Sequence, residues 1–212
     1  MTAFWLALFL QDSPEAEFRK FEKGVAEEKA IAVTFRGERV LRGTERSTWS
    51  GTMRIQGSKF VVTVAHNLHG EDRVETLRSD GKRTVLLVRD QARERNTSAD
   101  LPRLHRAALT RAGFLLENRP LRDALDGRRV TEEVFPVAPK RVTREQGHGA
   151  DYSVVDYALS YGSEEWAIRL WIDARSLAPV RRRATRGAEE EWSETYSAYS
   201  TAAIPEKEFE IE

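Results

Sequence analysis

The sequence predicts an α+β fold, in which a strongly curved antiparallel β-sheet forms an incomplete barrel with helices packed on its concave side. In two long blocks apolar and polar side chains alternate, which is the period of a half-buried strand. A stretch with the helical period separates the two blocks. Together they hold about eleven strand candidates, more than a flat open sheet usually accommodates without curling.

A helix of about four turns is predicted to begin at Pro14. Ser13 is suited to cap it, proline is favoured at the first helical position, and two glutamates in the first turn suit the positive end of the helix dipole. The apolar residues at helical spacing are Phe18, Phe21 and Val25. This apolar face needs a sheet to lie on.

Residues 30 to about 90 are predicted to form a meander of antiparallel strands. The inward candidates are Ile31, Val33, Phe35, Trp49, Met53, Ile55, Phe60, Val62 and Val64. Turn-forming pairs separate the strands, above all Asp80-Gly81, which favours the positive φ angles of a tight hairpin. The segment 84–88 has apolar side chains at both odd and even positions, and these point to opposite faces of a strand. We therefore expect other parts of the protein to pack on both faces of this strand.

Between about residues 98 and 125 the helical period returns. The residues that carry it are Leu101, Leu104, His105, Ala108, Leu109 and Ala112, and Gly113 is predicted to end the helix. After Val134 the strand period resumes, through Tyr152, Val154, Tyr157, Leu159, Trp166, Ile168, Leu170, Ile172, Trp192 and Tyr196. The helices are therefore predicted to interrupt two strand blocks.

Charge and cysteine content exclude several function classes. Lys+Arg and Asp+Glu both number 34, so no net field gathers nucleic acid or an anionic membrane surface. There is no cysteine, which removes disulfides, thiolate metal sites and thiol nucleophiles. The apolar run at residues 3–10 is too short for a membrane span of about 20 residues, so we expect that this protein is not an integral membrane protein.

Residues 1–12 admit two interpretations. They look like the apolar core and exit of a secretory signal that lacks its basic front end, or they form a first turn that packs onto the sheet. Residues 13–212 are predicted to form a single domain, because no linker or shift in composition divides them.

No residue constellation predicts catalysis, a metal site or a cofactor. His66 and His69 are three apart at a strand end, where side chains point to opposite faces, and His105 is interpreted as a packed core histidine. His148 has no visible nucleophile or carboxylate partner by motif. The run 181–183 of three arginines faces the glutamates at 189–191 and Glu194 across a hairpin, which predicts cross-strand ion pairs.

Aromatic side chains on strands and helices are the more informative feature. Most belong to an ordinary core, but a sheet that curls without closing leaves a hollow suited to an apolar ligand. The candidate lining residues are Phe18, Phe21, Trp49, Phe60, Val62, Leu86, Leu104, Trp166 and Ile168. We therefore expect a binding protein and not an enzyme.

Two segments resemble a known superfamily. The strand-turn-strand sequence LWIDARSLAPVR at residues 170–181 and the ending IPEKEF at residues 204–209, with SDGK at 79–82, are similar to the LolA/LolB-like lipoprotein carriers and their outer-membrane lipoprotein-sorting relatives. The resemblance extends over nearly the whole chain. Asp173 and Pro179 are interpreted as setting the turn geometry.

The resemblance implies a periplasmic or cell-envelope protein whose apolar cavity accepts acyl chains of lipoproteins or lipids. The alternative is an envelope sensor or interaction module that binds another protein and carries no lipid. An enzyme acting on lipid or peptide would need a polar, titratable cluster inside the cavity.

Overall fold

Eleven antiparallel strands form one open sheet in the structure, a computed structural model that describes residues 13–68, 71–89, 91–114, 118–130, 133–147 and 149–211. The strands are β1 (Ala30–Leu41), β2 (Glu45–Gln56), β3 (Lys59–Leu68), β4 (Glu71–Ser79), β5 (Thr84–Val88), β6 (Gln91–Arg95), β7 (Val137–Gly147), β8 (Ala150–Tyr161), β9 (Glu164–Asp173), β10 (Pro179–Arg186) and β11 (Glu190–Ser200). Their order is β6-β5-β4-β3-β2-β1-β11-β10-β9-β8-β7. The sheet does not close into a barrel, because β6 and β7 are its two edges.

Two meanders meet at the middle of this sheet. The strands β1 to β6 pair consecutively, and so do β7 to β11. Only the pairing of β1 with β11 joins the two blocks, with Phe35 opposite Tyr196. Each meander therefore forms one half of the curved sheet.

The helices lie on the concave side, as the sequence predicts. They are α1 (Pro14–Glu27), α2 (Asp100–Ala107), which continues as a π-helical turn at Ala108–Ala112, and α3 (Asn118–Leu125). The Ser13 hydroxyl accepts a hydrogen bond from the Ala16 N–H at 3.1 Å, so the predicted cap of α1 is confirmed. The π-helical turn ends at Gly113, which has a φ of 78°.

The predicted alternation places one face of each strand in the main core. Ile31, Val33 and Phe35 of β1 are buried there with Phe18 and Phe21 of α1. At the predicted hairpin, Asp80 accepts hydrogen bonds from the N–H groups of Lys82 and Arg83 at 2.7 Å each, and Gly81 has a φ of 90°. These backbone hydrogen bonds lower the pKa of Asp80.

A C-terminal segment covers part of the convex face. Ile204 and Phe209, which lies in the 3₁₀ turn Glu206–Phe209, are buried against Ala30 and Val61 in a second cluster. Further along, Val85 and Leu87 of β5 line a groove with Ile211. Strand β5 thus has neighbours on both faces. Within the described residues no helix combines the length and the hydropathy that crossing a membrane requires.

Candidate binding cavity

A cavity of about 530 Å³ lies between the inner face of β2 to β6 and the segment from α2 to α3. The sheet contributes the apolar side chains of Trp49, Val62, Val64, Leu77 and Leu86. The helical side contributes Phe114, Leu121 and Leu125. The volume falls within the ~300–1,000 Å³ that is usual for small-ligand sites.

Strand register explains why the middle of the cavity is apolar. Val62, Leu77 and Leu86 lie opposite one another on β3, β4 and β5, so they form one row on the concave face. Val64 stands in the next row. Leu86 and Val64 are only partly buried although they pack against the core, and so are Leu121 and Leu125 of α3. The cavity therefore presents apolar surface that the protein does not fill.

Charged and polar groups stand at the two ends of this apolar middle. Thr48, His66 and Arg73 line one end, where Arg73 forms an ion pair with Glu75 at 2.7 Å. Arg95 lies in the row of Thr84 and Ser79 at the other end, about 20 Å further along the strands. Asp126 also lines the cavity. The cavity is therefore apolar in its middle and polar at both ends.

His105 is the buried titratable group of the cavity wall. Its Nδ1 donates a hydrogen bond to the Leu101 carbonyl at 2.7 Å, and its ring centroid lies 4.9 Å from that of Phe60. Burial lowers the pKa of His105 to about 4, against the opposing effect of the Leu101 hydrogen bond. The imidazole is therefore neutral near pH 7 and suits an apolar surrounding.

The structure brings together three of the nine residues predicted to line a cavity. Trp49, Val62 and Leu86 line it. Phe60 and Leu104 are buried in the core close to His105 without lining it. The other four, Phe18, Phe21, Trp166 and Ile168, are buried in the core but do not line this cavity. Helix α1 packs on β7 and β8, so its aromatic face is not part of the cavity wall.

The histidines fall into different surroundings. His66 points inward at the Arg73 end, opposite Arg73 and Trp49. His69 and His148 lie outside the described residues, as does the segment 1–12. Within the described part of the chain, no three side chains of the metal-binding types form a group that could hold an ion.

A buried ion pair supports the wall at Trp49 and Phe114. Arg182 Nη1 lies 3.6 Å from Glu194 Oε2, and both side chains are fully buried. Glu194 Oε1 accepts hydrogen bonds from Trp49 Nε1 at 2.7 Å and from the Phe114 N–H at 2.8 Å. The Tyr196 hydroxyl donates to Glu194 Oε2. Glu194 thus connects two cavity-lining residues to the centre of the sheet.

Arg182 also holds the helical side. Its Nη2 donates to the Leu109 carbonyl at 2.7 Å, and its Nη1 donates to the Tyr196 hydroxyl. Burial lowers the pKa of Arg182, but electrostatic attraction to Tyr196, Tyr157 and Glu194 raises it by more. The net pKa of Arg182 therefore lies above the ordinary value of an arginine. Arg182 is therefore charged at all ordinary pH values.

Two glycines are required by this packing. A Cβ on Gly37 would lie 2.2 Å from the Trp49 ring, and a Cβ on Gly113 would lie 2.4 Å from Glu194 Oε2. The Trp49 ring therefore occupies the space that a side chain at position 37 of β1 would need. The turn after the π-helical segment approaches the carboxylate closely.

The predicted cross-strand ion pairs are confirmed for Arg182 and Arg183, whereas Arg181 lies opposite Thr195, and the burial of the Arg182 pair was not predicted. Arg182 lies opposite Glu194 in the register, and Arg183 bonds Glu191 at 2.7 Å on the exposed face. Arg182 and Glu194 share the inward parity of Ala184 and Tyr196. That shared parity is the signal that would have shown which pair is buried.

No protein-family model matches the sequence, and no curated protein matches it. Among solved structures, the chain is similar to lipoprotein LppX of Mycobacterium tuberculosis, with 14% identity, a TM-score of 0.49, and coverage of 90% of this chain and 97% of that chain. A LolA superfamily protein of Nitrosomonas europaea has 10% identity, a TM-score of 0.38, and coverage of 94% and 98%.

A third similar structure is the MucA/MucB complex of Pseudomonas aeruginosa, with 12% identity, a TM-score of 0.42, and coverage of 93% of this chain and 62% of that chain. The likeness to all three is one of fold.

Proposed function

We propose that this protein is a cell-envelope binding or carrier protein that holds an acyl chain, from a lipoprotein or a lipid, in the cavity between the sheet and α2 to α3. The observation that carries the proposal is the space of about 530 Å³ between two apolar walls. One wall is the row of Val62, Leu77 and Leu86 on the sheet, and the other includes Leu121 and Leu125. An acyl chain withdrawn into such a space gains ~0.8 kcal/mol for each methylene group. A long chain thus gains on the order of 10 kcal/mol before the cost of ordering it.

We also propose that the protein acts by binding its ligand and not by catalysing a reaction. His105 is held in a backbone hydrogen bond within its own helix, and Glu75 pairs with Arg73. These titratable groups have structural partners, which supports a wall and not a reaction centre. Uptake and release of an apolar chain need no reacting group.

The cell-envelope location belongs to the same proposal. It rests on the resemblance of residues 170–181 and 204–209 to the lipoprotein-carrier superfamily. Residues 1–12, whose interpretation as a signal segment stays a prediction, lie outside the described residues. Fractionation of cells that express the native gene would test the location.

Substitution of Leu86 with aspartate is expected to abolish binding of an apolar probe. The carboxylate would stand beside Leu77 at the β5 end of the apolar row, where an acyl chain cannot hydrate it, so the affinity should fall at least about tenfold. Leu87→Asp is the matched control, because the neighbouring residue is also partly buried but faces the convex side. Diphenylhexatriene fluorescence measures the binding.

Lipid extraction gives a second readout. Organic solvent extraction of the purified wild-type protein, followed by mass spectrometry, should recover acyl-chain lipids, and L86D should yield less than L87D. Equal probe binding by the two folded variants would contradict the proposal. Wild-type protein that carries no lipid, ignores the probe and captures one envelope protein would favour the interaction module instead.

A further inference from the structure

The apolar cavity continues into a polar depression at its Arg95 end. This depression has a volume of about 670 Å³ and shares Arg95, Leu125 and Asp126 with the cavity. Its other lining includes Lys82, Asn96 and Thr97. A molecule with an apolar chain in the cavity could therefore place a polar head in the depression without leaving the protein surface.

The depression has an excess of positive charge. Lys82, Arg83 and Arg95 line it together with the two carboxylates Glu94 and Asp126. Glu94 is already bonded to Arg83 at 3.3 Å. Arg122 of α3 adds a further cation to the adjoining cavity wall. Asp126 thus remains the carboxylate that opposes Lys82, Arg95 and Arg122.

Arg95 is the group best placed to receive an anion. It is partly buried, and its Nε is inaccessible to solvent and makes no hydrogen bond within the described residues. Nor does its guanidinium form an ion pair with any residue that the structure describes. Strand β6 places Arg93 and Arg95 on the concave side and Glu94 on the convex side. A guanidinium fork in such a place matches a phosphate or carboxylate.

The opposite end of the cavity differs. There Arg73 is bonded to Glu75 at 2.7 Å, so its charge is already neutralised by the protein. This difference in charge favours one orientation of an amphiphile in the cavity. Its head should lie toward Arg95 and the end of its chain toward Trp49 and His66.

We infer that the ligand is an amphiphile with an anionic head, a phosphate or a carboxylate, which Arg95 binds in the depression while the chain occupies the cavity. This inference rests on the proposed function, because it takes the cavity as the acyl-chain site. Arg95 acts as a specificity-determining residue, and Lys82 and Arg122 add to the local positive charge.

The test uses delipidated protein and displacement of diphenylhexatriene, a neutral apolar dye, by two amphiphiles with the same chain. Palmitoyl-lysophosphatidate is expected to bind about tenfold more tightly than 1-palmitoylglycerol. Arg95→Gln should reduce this ratio to about twofold. Arg46→Gln, at an exposed position on β2 outside the cavity, should keep the wild-type ratio.

Further measurements distinguish failure of this inference from failure of the proposed function. Inorganic phosphate, titrated alone by calorimetry, should bind at least about a hundredfold more weakly than lysophosphatidate. Comparable affinities would mean a site for free anions and would overturn the inference. Equal binding of the two amphiphiles would overturn it too, but would leave the acyl-chain site intact. Displacement by neither amphiphile would refute the proposed function itself.

Arg95→Lys serves if the glutamine variant does not fold, since it keeps the charge and loses the planar fork. We expect a ratio between those of wild type and Arg95→Gln, at an unchanged melting temperature. A wild-type ratio in every folded Arg95 variant would show that another group selects the head.

Discussion

Replacement of Arg182 with methionine is expected to lower the free energy of unfolding by about 3–5 kcal/mol, because it leaves the fully buried Glu194 without its cation. The carboxylate keeps the hydrogen bonds from Trp49, Phe114 and Tyr196, but these neutral donors do not balance its charge. The Leu109 carbonyl also loses its donor. Urea denaturation followed by tryptophan fluorescence measures the change.

The neighbouring position supplies the control. Arg183 forms a similar cross-strand pair with Glu191, but both side chains are about half exposed. Arg183→Met should therefore change the free energy of unfolding by about 1 kcal/mol or less. In the double variant Arg182→Met/Glu194→Gln neither position 182 nor position 194 carries a charge, so part of the loss should be recovered. Equal losses at positions 182 and 183 would contradict the assigned role of the buried pair.

Acidification is expected to destabilise the protein through His105 by about 3 kcal/mol in total. The pKa of His105 is about 4 in the folded state, below the ordinary value of 6.5 that applies to the unfolded chain. Above pH 6.5 both states are neutral and the stability is complete. Between pH 6.5 and 4 the unfolded chain binds a proton that the folded protein does not, so stability falls as pH falls through this window. Below pH 4 both states are charged.

A difference measurement isolates this effect from the carboxylates. The free energy of unfolding of the wild type and of His105→Gln is measured by urea denaturation at pH 7.5, 6.5, 5.5 and 4.5. The gap between them should narrow by about 1.4 kcal/mol for each pH unit below 6.5. Parallel curves would mean that His105 accepts a proton in the folded state as readily as in the unfolded chain.

Local chemistry made much of the fold predictable. The cap of α1 at Ser13, the stop at Gly113 and the hairpin at Asp80-Gly81 each depend on residues adjacent in sequence, so the sequence contains the relevant physics. The two-residue period also identified the inward parity of Val62, whereas Leu86 lies in a segment that is apolar at both parities. Both side chains do face the hollow.

The cavity itself depends on contacts between distant segments. Helix α1 lies on β7 and β8, while the wall of the cavity comes from β2 to β6 and from α3. Periodicity identified Phe18 and Phe21 as apolar and inward, but it cannot show which half of a sheet a helix covers. The same holds for Arg182, whose inward parity was readable but whose cover by the Leu109 turn was not.

The meeting of β1 with β11 has a consequence for how the chain reaches this state. Every other strand pair in the sheet joins neighbours along the chain, and hairpins of this kind form in about 1–10 μs. Phe35 and Tyr196 lie about 160 residues apart, so the loop-closure entropy of the whole sheet is concentrated in one late encounter. Until that seam forms, each half-sheet exposes a hydrogen-bonding edge to other copies. We therefore expect refolding at high protein concentration to favour domain swapping, in which two molecules exchange half-sheets.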